Sequence, residues 1–482
     1  MNCSFYEYCQ QTVDQYAARA AVQWYDEQQE RVLTKTYAEL YADVLGFAGA
    51  LQRRFDGADG KHIGVYAKNS YDYIVCAFGI LCSGNVAVLL NHNEGLEQTR
   101  DELSMADVDM VLAGRDYLEK LHTVCEPMAI AVADLTESVQ NTAEYRPAMN
   151  DNADKLAMLI FTSGTSGKNK CVMLTVRNLL VCCKEFQIEM DFANSFVEVP
   201  MVRYICFLPM YHIMAFAEIM SLLHIGHQIN MCLNLRYMYR DLVLMESDYS
   251  CIVPVLFDRF YQDIADGHRE RLGSLRGFLC GGAGMETEKM LTFEKAGILI
   301  VPAYGLSETC GTGTLNVANS SHKYASVGRF LSGNLKVRFD QGEICLKGDS
   351  VMPGYYKDTE ATAEAIQDGW LHTGDLGYLD EDGYLYITGR KKNLIILASG
   401  ENVSPEELEG LLLKNESIRE VLVKEKNGKI CAEIFCDAEK RQALRDFVTE
   451  VNRSLPFYKR MTLVEFRDEP FEKTGSGKIK RK

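Results

Sequence analysis

The segment 155–170, KLAMLIFTSGTSGKNK, joins an apolar run to a stretch with almost no bulky side chains. Residues 156–161 have the composition of a buried strand, and the Thr, Ser and Gly residues that follow offer backbone N–H groups and hydroxyls to an anion. Lys168 and Lys170 add positive charge at its end. The pattern predicts a phosphate-binding loop, although such a stretch taken alone is equally typical of a flexible surface connection.

This loop does not match the Walker A pattern, which requires G-x-x-x-x-G-K-[ST]. Gly164 and Gly167 are too close together, and Asn169 follows the lysine where Ser or Thr is needed. We therefore predict a different type of phosphate loop.

Short apolar runs alternate with longer segments of helical period around this loop. The pairs are HIGVYA (62–67) with YDYIVCAFGILCSG (71–84), RYICFLP (203–209) with IMAFAEIMSLLHIG (213–226), CIVP (251–254) with VLFDRFYQDIADG (255–267), and GFLCGGAG (277–284) with METEKMLTFEKAG (285–297). This alternation indicates βαβ units and parallel sheet, hence an α/β fold.

The pattern changes from about Leu335 to β-rich segments, with a hairpin turn predicted at Asp382-Gly383. A basic trio at 390–392 precedes a smaller αβ pattern, in which Ser404-Pro405 has the composition of a helix start. We predict a large N-terminal domain of parallel βαβ sheets with a β-rich subdomain over residues 1–390. A small, mobile C-terminal α+β domain is predicted over residues 391–482.

Composition excludes several classes of protein. A chain of 482 residues that is 47% hydrophobic can bury a large core, and its net charge of −16 opposes nucleic-acid binding. The first residues lack a secretory pattern, and no run reaches the roughly 18 apolar residues of a membrane span. We expect a cytoplasmic protein whose 16 scattered cysteines, without a C-x-x-C pair, are reduced and mostly buried.

Four further stretches follow the loop in a specific order: YGLSET (304–309), TGD (373–375) with GRKKN (389–393), and KTGSGKIKR (473–481). With TSGTSGKNK (162–170), they resemble the adenylate-forming superfamily of acyl-CoA synthetases, peptide-synthetase adenylation domains and luciferases. The resemblance extends from TYAEL (36–40) to the C-terminal residues, and the pattern is most similar to acyl- and aryl-CoA ligases.

The resemblance implies a complete ATP and Mg²⁺ site. It places Tyr304 against adenine, makes Glu308 the magnesium ligand and brings Thr309 to the α-phosphate; a carboxylate and an aromatic face suit these tasks. Asp375 would accept hydrogen bonds from the ribose hydroxyls, beside Arg390. The remaining implied nucleotide contacts are the β- and γ-phosphate residues Thr162, Ser163, Gly164, Thr165, Ser166 and Lys170, and the neighbours Gly282, Ala283, Gly305 and Ser307.

Lys478, in the C-terminal motif, is implied to bridge the substrate carboxylate and the α-phosphate of ATP. A positioned ammonium offsets the negative charge as one anion attacks another. We predict Lys478, Thr165 and Glu308 as catalytic residues. The resemblance also makes Lys392 a hinge between an adenylating and a thiol-accepting conformation, with Gly400 on the thiol side.

The acyl substrate is predicted near LPMYHIMAFAEIM (208–220), with His212, Tyr211 and Gly281 as substrate residues. A lone histidine here is equally consistent with core packing. Amino-acid-activating relatives usually place an aspartate near this point, and this stretch has none; Glu218 is its only acid. An uncharged acyl or aryl tail is therefore favoured, with an apolar lining drawn from Met210, Tyr211, Met214 and Phe216.

HIGH at 224–227 matches a signature of class I aminoacyl-tRNA synthetases by coincidence, because no KMSKS partner is present and Gly226 is placed to end a helix.

We predict an AMP-forming acid–thiol ligase that activates a fatty or aryl acid and transfers it to coenzyme A. The alternatives are an enzyme that loads a carrier-protein phosphopantetheine and a non-catalytic nucleotide-binding protein. The sequence does not identify the acid or the oligomeric state.

Overall fold

The computed structural model describes residues 3–145, 152–163, 169–194, 201–281, 287–316, 323–397, 401–473 and 479–481. The chain divides into two compact units. Unit 1 comprises Met1–Lys336 and Leu346–Leu371, and unit 2 comprises Val337–Cys345 and His372–Lys482. The predicted domain boundary between residues 390 and 391 stays a prediction.

Strands occur throughout the described residues. In chain order they are β1 (Ala20–Asp26), β2 (Arg31–Thr36), β3 (His62–Tyr66), β4 (Val86–Leu89), β5 (Met110–Ala113), β6 (Ala131–Asp134), β7 (Leu156–Ser163), β8 (Asn169–Thr175), β9 (Arg203–Cys206), β10 (Gln228–Met231), β11 (Tyr249–Ile252), β12 (Gly277–Gly281), β13 (Leu299–Gly305), β14 (Gly313–Leu315), β15 (Lys336–Asp340), β16 (Glu343–Lys347), β17 (Ile366–Gln367), β18 (Trp370–Leu379), β19 (Leu385–Arg390), β20 (Ile395–Ile396), β21 (Asn402–Val403), β22 (Glu420–Lys426), β23 (Lys429–Phe435) and β24 (Leu463–Arg467).

Helices separate most of these strands. They are α1 (Phe5–Tyr16), α2 (Tyr37–Arg54), α3 (Tyr71–Cys82), α4 (Leu96–Met105), α5 (Leu118–Cys125), α6 (Leu135–Gln140), α7 (Val176–Asn194), α8 (Ile213–His224), α9 (Met238–Leu244), α10 (Pro254–Ala265), α11 (Thr287–Lys295), α12 (Thr359–Ala365), α13 (Pro405–Leu412) and α14 (Arg441–Ser454). The four strand–helix pairs predicted from periodicity are confirmed. Among the described residues, no helix combines the length and the apolar character that crossing a membrane requires.

Unit 1 contains two large sheets. One has the strand order β14-β13-β12-β11-β9-β10-β1-β2, and the other has the order β6-β5-β3-β4-β7-β8. Their inner strands pair in parallel and are buried, as in HIGVY of β3, where all five residues are buried. Strands covered on both faces need such continuous apolar runs, which explains why the sequence pattern identified them.

The parallel pairing places several predicted site residues at one edge of the first sheet. β9, β11, β12 and β13 run in the same direction, so their carboxyl ends meet at a common edge. Gly281 ends β12, Tyr304 and Gly305 end β13, and the segment with Tyr211 and His212 follows β9.

The segment HIGH forms the end of α8, as predicted. Gly226 adopts φ +84°, a left-handed conformation that suits glycine after a helix. The ring of His224 stacks on Tyr8 at 3.8 Å between centroids, and Nδ1 of His227 accepts a hydrogen bond from the backbone N–H of Val202. Both histidines therefore have packing roles.

Unit 2 is smaller and mixes strands with helices. β18 and β19 pair antiparallel across the turn at Asp382-Gly383, where Gly383 has φ +79°, and β22-β23-β24 form a separate sheet. The hydroxyl of Ser404 accepts a hydrogen bond from the backbone N–H of Glu407 and caps α13. The predicted α/β fold with parallel sheets and a smaller C-terminal domain is confirmed.

The cysteines are all free thiols, and every one except Cys3 is buried. The predicted reduced, buried state is confirmed, because these side chains pack as small apolar groups.

Candidate active site

The phosphate-loop segment connects two paired strands in unit 1. β7 and β8 form an antiparallel hairpin whose last pair is Ser163 with Asn169, preceded by Thr162 with Lys170. The hairpin therefore holds both ends of the loop in register.

Seven of the predicted site residues lie outside the described residues: Gly164, Thr165, Ser166, Gly282, Ala283, Gly400 and Lys478. Their assignments stay predictions, and so does that of the Ser163 side chain.

Tyr355 connects the phosphate-loop hairpin to the predicted magnesium ligand. Nζ of Lys170 lies 4.6 Å from the centroid of the Tyr355 ring, and the Tyr355 hydroxyl donates a hydrogen bond of 2.9 Å to Oε1 of Glu308. The backbone N–H of Met352 also donates to the carbonyl of Glu308. Burial and the neighbouring Glu308 raise the pKa of Tyr355, so its hydroxyl stays protonated as a donor.

These contacts bring two distant motifs together. Glu308 lies in a short 3₁₀ turn, Ser307–Thr309, that packs against β8. A carboxylate oxygen fits the oxygen-ligand preference of Mg²⁺, and the hydrogen bond from the Tyr355 hydroxyl orients the Glu308 side chain. Glu308 would therefore hold a magnesium ion, which would offset negative charge on the phosphates when bound.

Two backbone segments lie close together around Tyr304. Tyr304 pairs with Thr314 across β13 and β14, and a Cβ on Gly305 would lie 2.4 Å from the carbonyl oxygen of Gly311. Thr309 is buried, and its hydroxyl donates to the carbonyl of Thr312 at 2.6 Å. The backbone N–H of Leu306 also donates to this hydroxyl, and the contact of Thr309 with the α-phosphate stays a prediction.

A buried acid that was not anticipated from the sequence supports the phosphate-loop hairpin. Nδ2 of Asn169 donates a hydrogen bond of 2.6 Å to Oε1 of Glu102 on α4. Burial and the nearby Glu94 raise the pKa of Glu102 to about 9, so this carboxyl group is uncharged near neutral pH. The Asn169 side chain therefore anchors the end of the phosphate-loop hairpin to α4.

Asp375 and Arg390 form a cross-strand ion pair in unit 2. Asp375 is buried on β18, opposite Arg390 on β19, and Nε of Arg390 lies 2.6 Å from Oδ1 of Asp375. Gly374 adopts φ +71° within β18, immediately before the aspartate, a conformation that glycine tolerates. The pair orients a carboxylate, as a ribose-binding role requires.

Three side chains near Gly374 have the donor types of a metal site. Glu343, Cys345 and His372 place one donor atom each within 4.8 Å of one another in the described part of unit 2. Glu343 already pairs with Nζ of Lys391 at 2.7 Å and with Nδ1 of His372 at 3.1 Å. Burial and Glu343 raise the pKa of the Cys345 thiol. An ion-pair network accounts for this arrangement.

A cavity of about 50 Å³ lies at the carboxyl edge of the first sheet of unit 1. Tyr304 lines it together with side chains of α7, α8 and β12, including Phe186, Met214 and Leu279. A Cβ on Gly281 would approach Cε of Met214 to 2.9 Å, so glycine at this position leaves room for the cavity wall. We call this space the acyl cavity.

The other predicted substrate residues lie near the start of α8. The Tyr211 hydroxyl accepts a hydrogen bond from Nδ2 of Asn93 at 3.3 Å, and the exposed His212 ring lies 4.5 Å from that of Tyr211. Of the residues expected to line an apolar pocket, Met214 does so, whereas Phe216 packs against Phe78. Their contacts with substrate stay predictions.

Comparisons with known proteins show which family and which relatives this chain resembles. The family model described as AMP-binding enzyme matches residues 9–356. A 2-succinylbenzoate–CoA ligase of Bacillus cereus (strain Q1) is 29% identical over 408 residues, covering 80% of this chain and 79% of the relative. A 4-coumarate–CoA ligase-like protein of Arabidopsis thaliana is 27% identical over 486 residues, covering 93% of this chain and 88% of the relative.

Among solved structures, o-succinylbenzoate CoA synthetase of Bacillus subtilis, bound to an acyl-adenylate, superposes with a TM-score of 0.83. Its sequence is 23% identical, and the match covers 98% of this chain and 96% of that one. The similarity shows the same fold. The chain therefore belongs to the AMP-binding enzyme family, as predicted, and the predicted enzyme class, an AMP-forming acid–thiol ligase, is confirmed with it.

Proposed function

We propose that this protein uses ATP and Mg²⁺ to activate a small aryl or short acyl carboxylic acid and transfers the acyl group to coenzyme A. In the first step, a carboxylate oxygen attacks the α-phosphorus and pyrophosphate leaves. In the second step, the thiol sulfur attacks the acyl carbonyl carbon, loses its proton and expels AMP. Relatives named as CoA ligases for 2-succinylbenzoate support an aryl acid and coenzyme A.

The observation that carries this proposal is the chain of contacts from Lys170 through Tyr355 to Glu308. It gathers a cation, a neutral donor and a carboxylate beside the phosphate-loop hairpin, within the unit that contains the acyl cavity. When bound, magnesium would offset the negative charge on the phosphates. Lys170 would add a second positive charge, and the hairpin would hold the triphosphate in place.

The acids named for the relatives support a small acid, because 2-succinylbenzoate and 4-coumarate each contain a single ring. The apolar side chains of the acyl cavity, including Phe186, Met214 and Leu279, suit a hydrocarbon chain or ring. A structure described as a fatty acyl CoA synthetase of Mycobacterium tuberculosis shares the fold at 24% identity, so the fold alone does not select the acid.

The direct test is acid-dependent exchange of labelled pyrophosphate into ATP with fatty, aryl and amino acids, followed by thioester formation on adding coenzyme A. We expect exchange with aryl or short acyl acids and a coenzyme A thioester. Exchange without a coenzyme A product would favour a carrier protein as acceptor. Binding of ATP without exchange for any acid would contradict the proposal and favour the non-catalytic alternative.

We expect Lys392→Pro to spare pyrophosphate exchange and to lower coenzyme A thioester formation by at least about 10-fold. Lys392 lies in the 3₁₀ turn Lys391–Asn393, and proline fixes φ near −65°, which opposes the backbone rotation of a hinge. The two half-reactions are measured separately.

Lys392→Ala is the matched control, because it removes the side chain and keeps the backbone free. It should retain both half-reactions. An unimpaired overall rate in Lys392→Pro, or equal losses in both variants, would contradict the hinge assignment.

A further inference from the structure

One buried carboxylate contacts the neighbours of both members of the Asp375–Arg390 pair. Glu343 lies on β16 and is only 3% exposed. Its Oε1 accepts a hydrogen bond of 3.0 Å from the backbone N–H of Gly374, the residue before Asp375. Its Oε2 accepts a hydrogen bond of 2.7 Å from Nζ of Lys391, the residue after Arg390. Glu343 therefore joins the two chain segments that carry the pair.

Glu343 is ionised near neutral pH. Burial opposes its ionisation, but hydrogen bonds from Lys391, His372 and Gly374 outweigh burial and lower the pKa of this carboxyl group. The hydrogen bond to Glu343 in turn raises the pKa of the Lys391 ammonium. Because hydrogen bonds between charged groups are stronger than neutral ones, the contact with Lys391 restrains both side chains.

The location of the ion pair makes such a restraint important. Asp375 and Arg390 form the pair at one end of the antiparallel pairing between β18 and β19, and strands separate most readily at such an end. β16, which neighbours β18 in the sheet, supplies further contacts there. Besides Glu343, the carbonyl of Ile344 accepts a hydrogen bond of 2.7 Å from the Thr373 hydroxyl. The orientation of Asp375 therefore depends on β16.

We propose that Glu343 is a positioning residue that holds the Asp375 carboxylate in the orientation needed to bind the ribose hydroxyls of the nucleotide. It acts through the backbone of Gly374 on one side and through Lys391, beside Arg390, on the other. The inference rests on the nucleotide site of the proposed function. It makes selectivity for ribose over deoxyribose depend on a residue that acts through its neighbours.

Nucleotides that lack one ribose hydroxyl test this directly. Calorimetry gives Kd for AMP, 2′-deoxy-AMP and 3′-deoxy-AMP, and we expect the wild-type protein to prefer AMP over at least one deoxy nucleotide by about 10- to 100-fold, the usual effect of losing a hydrogen bond to a charged group. The readout is the ratio of the two Kd values. A general loss of stability or of binding weakens all three nucleotides equally and leaves this ratio unchanged.

Three substitutions assign the preference to the contacts of Glu343. Glu343→Gln preserves size but removes the charge that holds Lys391, and it should lower the preference at least about 3-fold. Lys391→Met removes one of the donors and should lower it at least about 2-fold. Asp375→Asn should lower it most, and adding Glu343→Gln to that variant should cause no further loss, because both changes act on the same contact.

Glu433→Gln is the matched control from the same unit. Glu433 is partly buried and pairs with Lys424 and Arg467. As at Glu343, burial opposes ionisation, and the hydrogen bonds from these cations outweigh it and lower the pKa of the carboxyl group. Its substitution removes a similar ion-pair network and should keep the wild-type preference for AMP.

An unchanged preference in folded Glu343→Gln would overturn the inference. If thermal unfolding shows that this variant does not fold, an unchanged preference in Lys391→Met would overturn it instead. Equal binding of all three nucleotides by the wild-type protein would also overturn it. Pyrophosphate exchange with ATP is measured on the same preparations: absence of exchange with every acid contradicts the proposed function, whereas the Kd ratios decide the role of Glu343.

Discussion

Lys478→Ala is expected to slow acyl-adenylate formation by about 10²- to 10³-fold. A carboxylate that attacks an anionic phosphate needs compensating positive charge in the transition state, and removal of one positioned donor commonly has an effect of this size. By resemblance, Lys478 supplies that charge. The measurement is acid-dependent pyrophosphate exchange with the best acid from the panel.

The second half-reaction separates this role from a general defect. When acyl-adenylate is supplied, Lys478→Ala should form the coenzyme A thioester at close to the wild-type rate. Lys480→Ala is the control from the same basic segment; Lys480 is exposed and lies 3.9 Å from Glu472, so its loss should change either rate by less than about twofold. Equal losses in both half-reactions of Lys478→Ala would exclude the predicted role.

Much of the fold was predictable because its determinants are local. Buried parallel strands require continuous apolar runs, and a helix buried on nearly all sides, such as α3, is apolar around its circumference, so HIGVYA and YDYIVCAFGILCSG were assigned correctly. The turn at Asp382-Gly383 was also predictable, because glycine at positive φ has a clear sequence signal.

The contacts within the candidate site were less predictable, because they join residues far apart in the chain. Tyr355 carries no charge and lies outside the quoted motifs, yet it contacts both Lys170 and Glu308. The sequence identified Glu218 as the only acid in its segment, but it did not indicate that Tyr204 on β9 donates a hydrogen bond to this side chain. Only tertiary packing determines such partners.

The compact units also depend on packing. Residues Val337–Cys345 and His372–Arg390 belong to the same unit as the C-terminal residues. A change in composition near Leu335 indicates where strands become frequent, but it does not indicate which strands share a core. The location of the functional hinge therefore has to be tested by substitution.

Glu308→Gln is expected to lower kcat/KM for ATP by about 100-fold and to raise the Mg²⁺ concentration needed for half-maximal activity. The substitution preserves size and removes the negative charge that a magnesium ligand supplies. Titration of pyrophosphate exchange with Mg²⁺ at saturating acid measures both effects. An unchanged Mg²⁺ dependence would contradict the role of Glu308 as a metal ligand.

Tyr355→Phe isolates the hydrogen bond to this ligand, because phenylalanine keeps the ring that contacts Lys170. Partners of metal ligands typically contribute 10- to 100-fold to metal affinity, so the Mg²⁺ requirement should rise about 10-fold while the rate at saturating Mg²⁺ stays near wild type. Tyr356→Phe is the control, since the Tyr356 hydroxyl donates to Asp107 at 2.8 Å. If Tyr355→Phe lowers the rate equally at every Mg²⁺ concentration, its hydroxyl does not act through Glu308 and the metal.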